Sequence, residues 1–151
     1  MYFLYSLATI AAFVLVSPYF VYQAVRHRKY VGSIKQRLGY LPVTFNLDGD
    51  ESIWVHAVSV GEVLTARPLL ADLRRRYPRL KIFLSTTTLT GQTLARPDMR
   101  DVDAVFYFPF DWTFTARRTL RLVKPRMFVM VETEIWPNLL RECRRRGVKT
   151  V

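Results

Sequence analysis

Three carboxylates stand where short apolar runs give way to polar residues. Glu62 closes the stretch Trp54-Val55-His56-Ala57-Val58-Ser59-Val60-Gly61-Glu62, and Glu132 and Glu134 belong to Glu132-Thr133-Glu134-Ile135-Trp136-Pro137-Asn138. A carboxylate within hydrogen-bond reach of a substrate hydroxyl can take its proton. Ser59 and Gly61 could bring backbone N–H groups near a bound molecule, and Thr87, Thr88 and Gly91 could line the same cleft. A metal centre is disfavoured: the chain has one cysteine, Cys143, and two histidines, His27 and His56, too few for a Cys or His cluster. No segment matches G-x-x-x-x-G-K-[ST] and none carries the three glycines of a dinucleotide fingerprint, which argues against a nucleotide kinase or a nicotinamide dehydrogenase.

Each residue also has a plainer role. Glu62 lies three positions after Ser59 at the start of a helical stretch, the S-x-x-E pattern of a capping box. Glu132 could be a strand-end carboxylate paired with an arginine. His56, at the end of a strand, fits a packed and hydrogen-bonded side chain better than a catalyst. Ser59 and Gly61 could serve only to start the helix.

The elements that would position these groups follow from the hydrophobic pattern. Near-continuous apolar runs predict buried strands over 53–57, 81–86, 104–108 and 127–131, and a fifth strand starts at Val148. Between them, helical stretches are expected over 62–77, 90–96, 113–123 and 138–146. Pro68 falls inside the first of these and should kink it. Strands of this kind alternating with helices specify an α/β fold with a parallel sheet. In such sheets ligands bind beyond the C-terminal ends of the strands, where Ser59, Gly61, Glu62, Thr87, Thr88, Gly91, Glu132 and Glu134 lie.

The N-terminus has a different character. Residues 1–25 contain no Asp, Glu, Lys or Arg, and at helical rise they would extend about 37 Å, enough to cross a hydrocarbon core of roughly 30 Å. Arg26, Arg28 and Lys29 follow, with Lys35 and Arg37 close behind. This order is the reverse of a cleaved signal peptide and predicts a single transmembrane helix with the basic side in the cytoplasm. A helix inserted in one leaflet is the alternative. The expected organisation is an anchor over 1–25, a basic juxtamembrane connector over 26–50 and a Rossmann-like domain over 51–151. The formal net charge is +11. The basic residues are dispersed over helices and a juxtamembrane strip, without an aromatic-interleaved stacking strand, which disfavours a nucleic-acid partner.

The two motifs, in this order and about 70 residues apart, resemble the Kdo transferases, the 3-deoxy-D-manno-octulosonic acid transferases of lipopolysaccharide synthesis. The resemblance covers nearly the whole chain. It implies the membrane anchor and acceptor-binding half of a GT-B glycosyltransferase, a chain that stops before its donor domain and is inactive alone. It implies an inverting transfer, independent of metal and cofactor, from CMP-Kdo onto lipid A precursor (lipid IVA) at the inner membrane. Glu62 matches the family's general base and Glu132 its second acidic residue; Glu134 would assist with Ser59, Gly61, Thr87, Thr88 and Gly91 in binding substrate. The rival reading is a non-catalytic membrane-tethered module that binds anionic lipid.

Overall fold

A computed structural model describes residues 2–27, 31–96 and 100–151. Five strands form one parallel sheet: β1 (Ser52–His56), β2 (Lys81–Thr86), β3 (Ala104–Tyr107), β4 (Pro125–Met130) and β5 (Lys149–Thr150), in the order β3-β2-β1-β4-β5. The helices are α1 (Tyr2–His27), α2 (Val31–Arg37), α3 (Val60–Arg76), α4 (Leu89–Ala95), α5 (Thr113–Val123) and α6 (Pro137–Arg145), with a 3₁₀ turn over Val43–Asn46. Pro68 lies within α3 without ending it. The α/β fold with a Rossmann-like parallel sheet is therefore present.

Strand side chains alternate between two faces, and both faces are covered. Trp54, Phe83, Phe106 and Phe128 form an aromatic layer against α5 and α6, joined by Ala116, Leu120, Leu139 and Cys143. Ile53, Val55, Ile82 and Leu84 form an aliphatic layer against Val63, Ala66, Leu70 and Leu73 of α3. Burial on both faces is why these strands read as continuous apolar runs. Burial also pushes the Cys143 thiol up to about 12, as expected for a packing residue. Glu142, itself buried, pairs with Arg117 across α5 and α6 at 3.1 Å.

The stretch after α2 is packed onto the sheet. Leu41 is buried in the aromatic layer, and Phe45 lies 4.5 Å from Phe83, centroid to centroid. Arg37 donates to the Thr87 carbonyl and covers the Tyr107 ring at 4.9 Å. Of the basic run that would face anionic lipid, Arg28 and Lys29 lie outside the described residues.

The transmembrane expectation for α1 requires correction. The helix forms, but among the described residues no helix is long and apolar enough to cross a membrane. One stripe of its N-terminal half is committed to the α/β domain. Phe13 packs on Phe110 and Trp112 at 5.0 and 5.2 Å, Ser6 accepts from Asn138 Nδ2 at 3.0 Å, and Arg141 covers the Tyr2 ring at 4.6 Å. Leu4, Leu7, Val14, Leu15, Tyr19 and Tyr22 remain exposed.

Asp103 ties the β3 side of the sheet together. It accepts from the Ile82 N–H at 2.8 Å and pairs with Arg74 and Lys81. Burial pushes its carboxyl up, but the bonds from Ile82 and Arg74 and the two positive charges outweigh this and hold it below the usual range. A carboxyl lowered on folding contributes stability above the unfolded value, about pH 4, that is lost as pH falls through the lower folded value. Asp103→Asn should therefore flatten the acid limb of the stability profile. Urea unfolding at about pH 7 and about pH 3 measures this, and an unchanged difference between the two would show that Asp103 does not set it.

Candidate functional site

The strand order sets the location. From β1 the chain moves outward through β2 to β3, then returns to β4 on the other side of β1 and continues to β5. The direction reverses between β1 and β4, and a doubly wound sheet opens its binding crevice at that point, beyond the strand C-termini. The loop after β1 holds residues 57–59 and the loop after β4 holds 131–136, so both motifs border the crevice. Their bases are joined: Val131 N–H donates to the His56 carbonyl at 3.0 Å, and Ala57 N–H to the Ser85 carbonyl at 3.0 Å.

Ser59 is the N-cap of α3 in extended conformation, and both halves of the capping box are formed. Glu62 N–H donates to Ser59 Oγ at 3.4 Å, while Glu62 Oε1 accepts from Ser59 N–H at 3.2 Å and from the Ser59 hydroxyl at 2.9 Å. Its second oxygen, Oε2, accepts from Val58 N–H at 2.8 Å. Glu62 is buried, at 8% exposure, and among the described residues Oε2 accepts from Val58 alone. A carboxylate oxygen can accept twice, so Oε2 keeps one acceptor position beyond the Val58 bond. Gly61 is exposed, and a Cβ there would meet little besides Ser59 Oγ at 3.9 Å, leaving the first turn of α3 open.

The loop after β2 is bound to the same place. Val58 O accepts from Thr87 N–H at 3.3 Å, Thr88 N–H at 3.2 Å and Thr88 Oγ1 at 3.2 Å. Thr88 caps α4 through Gly91 N–H at 3.0 Å. Gly91 has a steric reason: a Cβ there would stand 2.9 Å from Thr88 Oγ1 and 3.5 Å from the Ser59 carbonyl carbon. The structure thus brings Ser59, Glu62, Thr87, Thr88 and Gly91 together. A cleft of about 540 Å³ beside them is lined by Arg37, Thr87, Thr88, Arg96 and Tyr107. On the other side of Leu89, Val60, Arg67, Leu94 and Arg100 border a broader, mostly apolar trough.

The two carboxylates after β4 differ. Glu132 is exposed and has no hydrogen-bond or ion-pair partner among the described residues; the arginine pairing considered for it is not formed. Glu134 Oε2 lies 3.1 Å from His56 Nε2 and accepts from Trp136 Nε1 at 2.9 Å. The His56 bond, helped by Trp136 and opposed by burial, holds the Glu134 carboxyl below the usual range. His56 is buried, stacked on Phe108 at 3.9 Å, as expected of a packed histidine, yet it reaches a site carboxylate. Sequence reasoning missed Ser85, whose hydroxyl lies 2.9 Å from His56 Nδ1, and Asp111. Asp111 caps α6 from the loop after β3, accepting from Asn138 N–H at 3.1 Å and Leu139 N–H at 2.8 Å. A cap supplied from 27 residues away has no local spacing signal.

These features define a doubly wound α/β domain with a carboxylate-bearing crevice at its switch point. Residues 32–151 match the family described as 3-deoxy-D-manno-octulosonic-acid transferase (kdotransferase), and the chain belongs to that family. It is similar to the 3-deoxy-D-manno-octulosonic acid transferase of Haemophilus influenzae, 32% identical over 128 residues, covering 85% of this chain and 30% of the relative. The corresponding Chlamydia trachomatis protein is 30% identical over 147 residues, covering 97% of this chain and 34% of the relative. The chain spans about a third of the length of these relatives.

The capping geometry alters what substitutions at Glu62 should do. A glutamine presents one acceptor oxygen instead of two, so Glu62→Gln keeps the bonds from Ser59 or the bond from Val58, but not both. Ser59→Ala and Glu62→Gln should each lower stability by about 1 kcal/mol. Chemical denaturation followed by circular dichroism tests this; a neutral Glu62→Gln would show that the Val58 bond contributes nothing.

Proposed function

We propose that this chain supplies the acceptor-binding half of a GT-B glycosyltransferase that moves Kdo from CMP-Kdo onto lipid A precursor with inversion. The observation that supports this reading most directly is the meeting of the Glu62 loop and the Glu132-to-Trp136 loop at the β1–β4 switch point. An acceptor hydroxyl attacks the anomeric carbon of Kdo, the bond to the CMP phosphate breaks, and CMP leaves with the bonding electrons. Glu62 takes the hydroxyl proton on the remaining acceptor position of Oε2, while Glu132 and Glu134 stand on the loop after β4. Ser59, Gly61, Thr87, Thr88 and Gly91 shape the acceptor side, and the arginines that line the adjacent cleft and trough carry the forked guanidinium groups that acceptor phosphates favour. The donor is held chiefly by the part of the family's architecture that follows this domain.

The acceptor is an amphiphile, and the exposed apolar side chains of α1 suit a helix seated in one leaflet beside the crevice. Such a helix should resist removal by high salt and be released by alkaline carbonate. Resistance to carbonate would indicate a span, and release by salt alone would indicate charge-driven attachment.

Joining residues 1–151 to the remaining part of the Haemophilus influenzae relative should restore Kdo transfer from CMP-Kdo to lipid A precursor; the chain alone should not transfer, because one half cannot hold both reactants in line. Within the chimaera, Glu62→Gln should reduce kcat by about 10²–10⁴-fold, far beyond what its stability loss explains. Turnover by residues 1–151 alone would overturn the two-domain reading. A folded chimaera that binds the acceptor without turnover would favour the lipid-binding module.

A further inference from the structure

His56 belongs to a line of polar contacts that crosses the sheet's aromatic face. Trp54 Nε1 donates to Ser85 Oγ at 2.7 Å, Ser85 Oγ meets His56 Nδ1 at 2.9 Å, and His56 Nε2 meets Glu134 Oε2 at 3.1 Å. Trp54, Ser85 and His56 are all buried, at 0%, 0% and 1% exposure. The indole can only donate and an ionised carboxylate can only accept. Nδ1 also lies 3.1 Å from the Ser85 carbonyl, so a protonated ring or a neutral Nδ1–H ring donates to Ser85, whereas in the Nε2–H tautomer the Ser85 hydroxyl donates to Nδ1. Nε2 carries a proton toward Glu134 in the protonated ring and in the Nε2–H tautomer, the two states that a carboxylate oxygen at 3.1 Å favours over a bare ring nitrogen. The Trp54–Ser85 and Ser85–His56 bonds polarise one another in a low-dielectric interior, and the ring meets Glu134 as a close polar contact and not as an aligned hydrogen bond, since Nε2 has no hydrogen-bond partner among the described residues.

This arrangement has a direction. Its buried end is fixed by β1 and β2, and its outer end is a carboxylate on an irregular segment, residues 131–136, at the crevice. Trp136 shares the oxygen held by His56, and Oε1 of Glu134 has no recorded partner among the described residues. The neighbours Glu132, Thr133 and Ile135 are exposed. If packing alone were required of position 56, an apolar side chain against Phe108 would supply it without placing polar groups in the core.

We propose that His56 is a positioning residue for Glu134, gripping one carboxylate oxygen through the Trp54–Ser85–His56 line so that the other is presented to a sugar hydroxyl of the acceptor. This rests on the glycosyl-transfer reading of the crevice. It makes Glu134, rather than the unsupported Glu132, the carboxylate that works opposite Glu62, and it assigns a role to a histidine that takes no part in the chemical step.

Two substitutions separate the ring's ends. His56→Asn keeps a polar atom near Ser85 and loses the Nε2 end, whereas His56→Gln can place an amide N–H where Nε2 stands. In the chimaera, His56→Asn should lower kcat by about 10²-fold, the scale of a positioning error of about 1 Å, with KM for CMP-Kdo and for lipid A precursor within about twofold. His56→Gln should recover to within about tenfold of wild type, and in a Glu134→Ala background His56→Asn should have almost no further effect. Equal losses for Asn and Gln, or full additivity with Glu134→Ala, would overturn the proposal. An independent measurement on the chain itself is the ¹⁵N-resolved Nε2–H signal of His56, expected to be protected from exchange and to lose that protection in Glu134→Ala. Retained protection in that variant would overturn the contact whatever the activity. A wild-type chimaera that never transfers Kdo would instead overturn the glycosyl-transfer reading.

Discussion

The structure depends on the complete burial of β1. All five of its residues are buried, it pairs in parallel with β2 on one side and β4 on the other, and both its faces are covered. Parallel neighbours cannot be joined by a tight turn, so each strand must leave the sheet at the same edge before crossing over. The loops after β1, β2 and β4 are thereby gathered at one end of a strand that cannot shift without opening both cores. The ladder continues past the strand ends, through Ala57 to Ser85 and Val131 to His56. The loops that carry the carboxylates are thus rooted on the fully buried central strand, and rigid elements hold a site more precisely than loops alone.

The capping geometry of Glu62 is compatible with the proton transfer proposed for it. The cap is worth about 1 kcal/mol, whereas a general base contributing 10²–10⁴-fold is worth about 3–5 kcal/mol of barrier. Both can be met by one carboxylate if the bonds that close the cap leave an acceptor position available. Oε1 carries two donors and Oε2 one, so the bonds that start α3 also orient the group. Glu134 is held differently, by β1 through His56 and by its own loop through Trp136. One carboxylate is fixed by its immediate sequence neighbours and the other by the core.

That difference decides what could be read from the sequence. The boundaries of β2 and α5 coincide with the apolar runs, and the other strands and helices differ from expectation by one or two residues, as ends set by fraying turns do. The Ser59–Glu62 cap was legible because its partners are three residues apart. The contact of Glu134 with His56 was not, because it arises where β1, β2 and the loop after β4 converge, with His56, Ser85 and Glu134 far apart in sequence. For the same reason Asp111 was invisible as the cap of α6, and α1 read as a span. Its uninterrupted lack of charge gives no sign that Tyr2, Ser6 and Phe13 face a protein partner.

The docking of α1 has a consequence for the crevice. Asn138, which accepts α1 through Ser6, is the second residue of α6, directly after the loop that carries Glu132 and Glu134. Asp111, which caps α6, takes a side-chain hydrogen bond from Tyr5; burial raises its carboxyl, and the bonds from Asn138 and Leu139 only partly offset this. The apolar helix and the carboxylate loop therefore share their supports, a buried acid and a buried amide. On the proposed reading, an acceptor with sugars at one end and acyl chains at the other must be met at both ends in a fixed relation. A flexible tether would leave that relation to diffusion, whereas a helix latched to the root of the carboxylate loop builds it into the fold. On this argument the few polar atoms of α1 matter more than their number suggests, because they set the angle between the helix's exposed apolar side chains and the crevice.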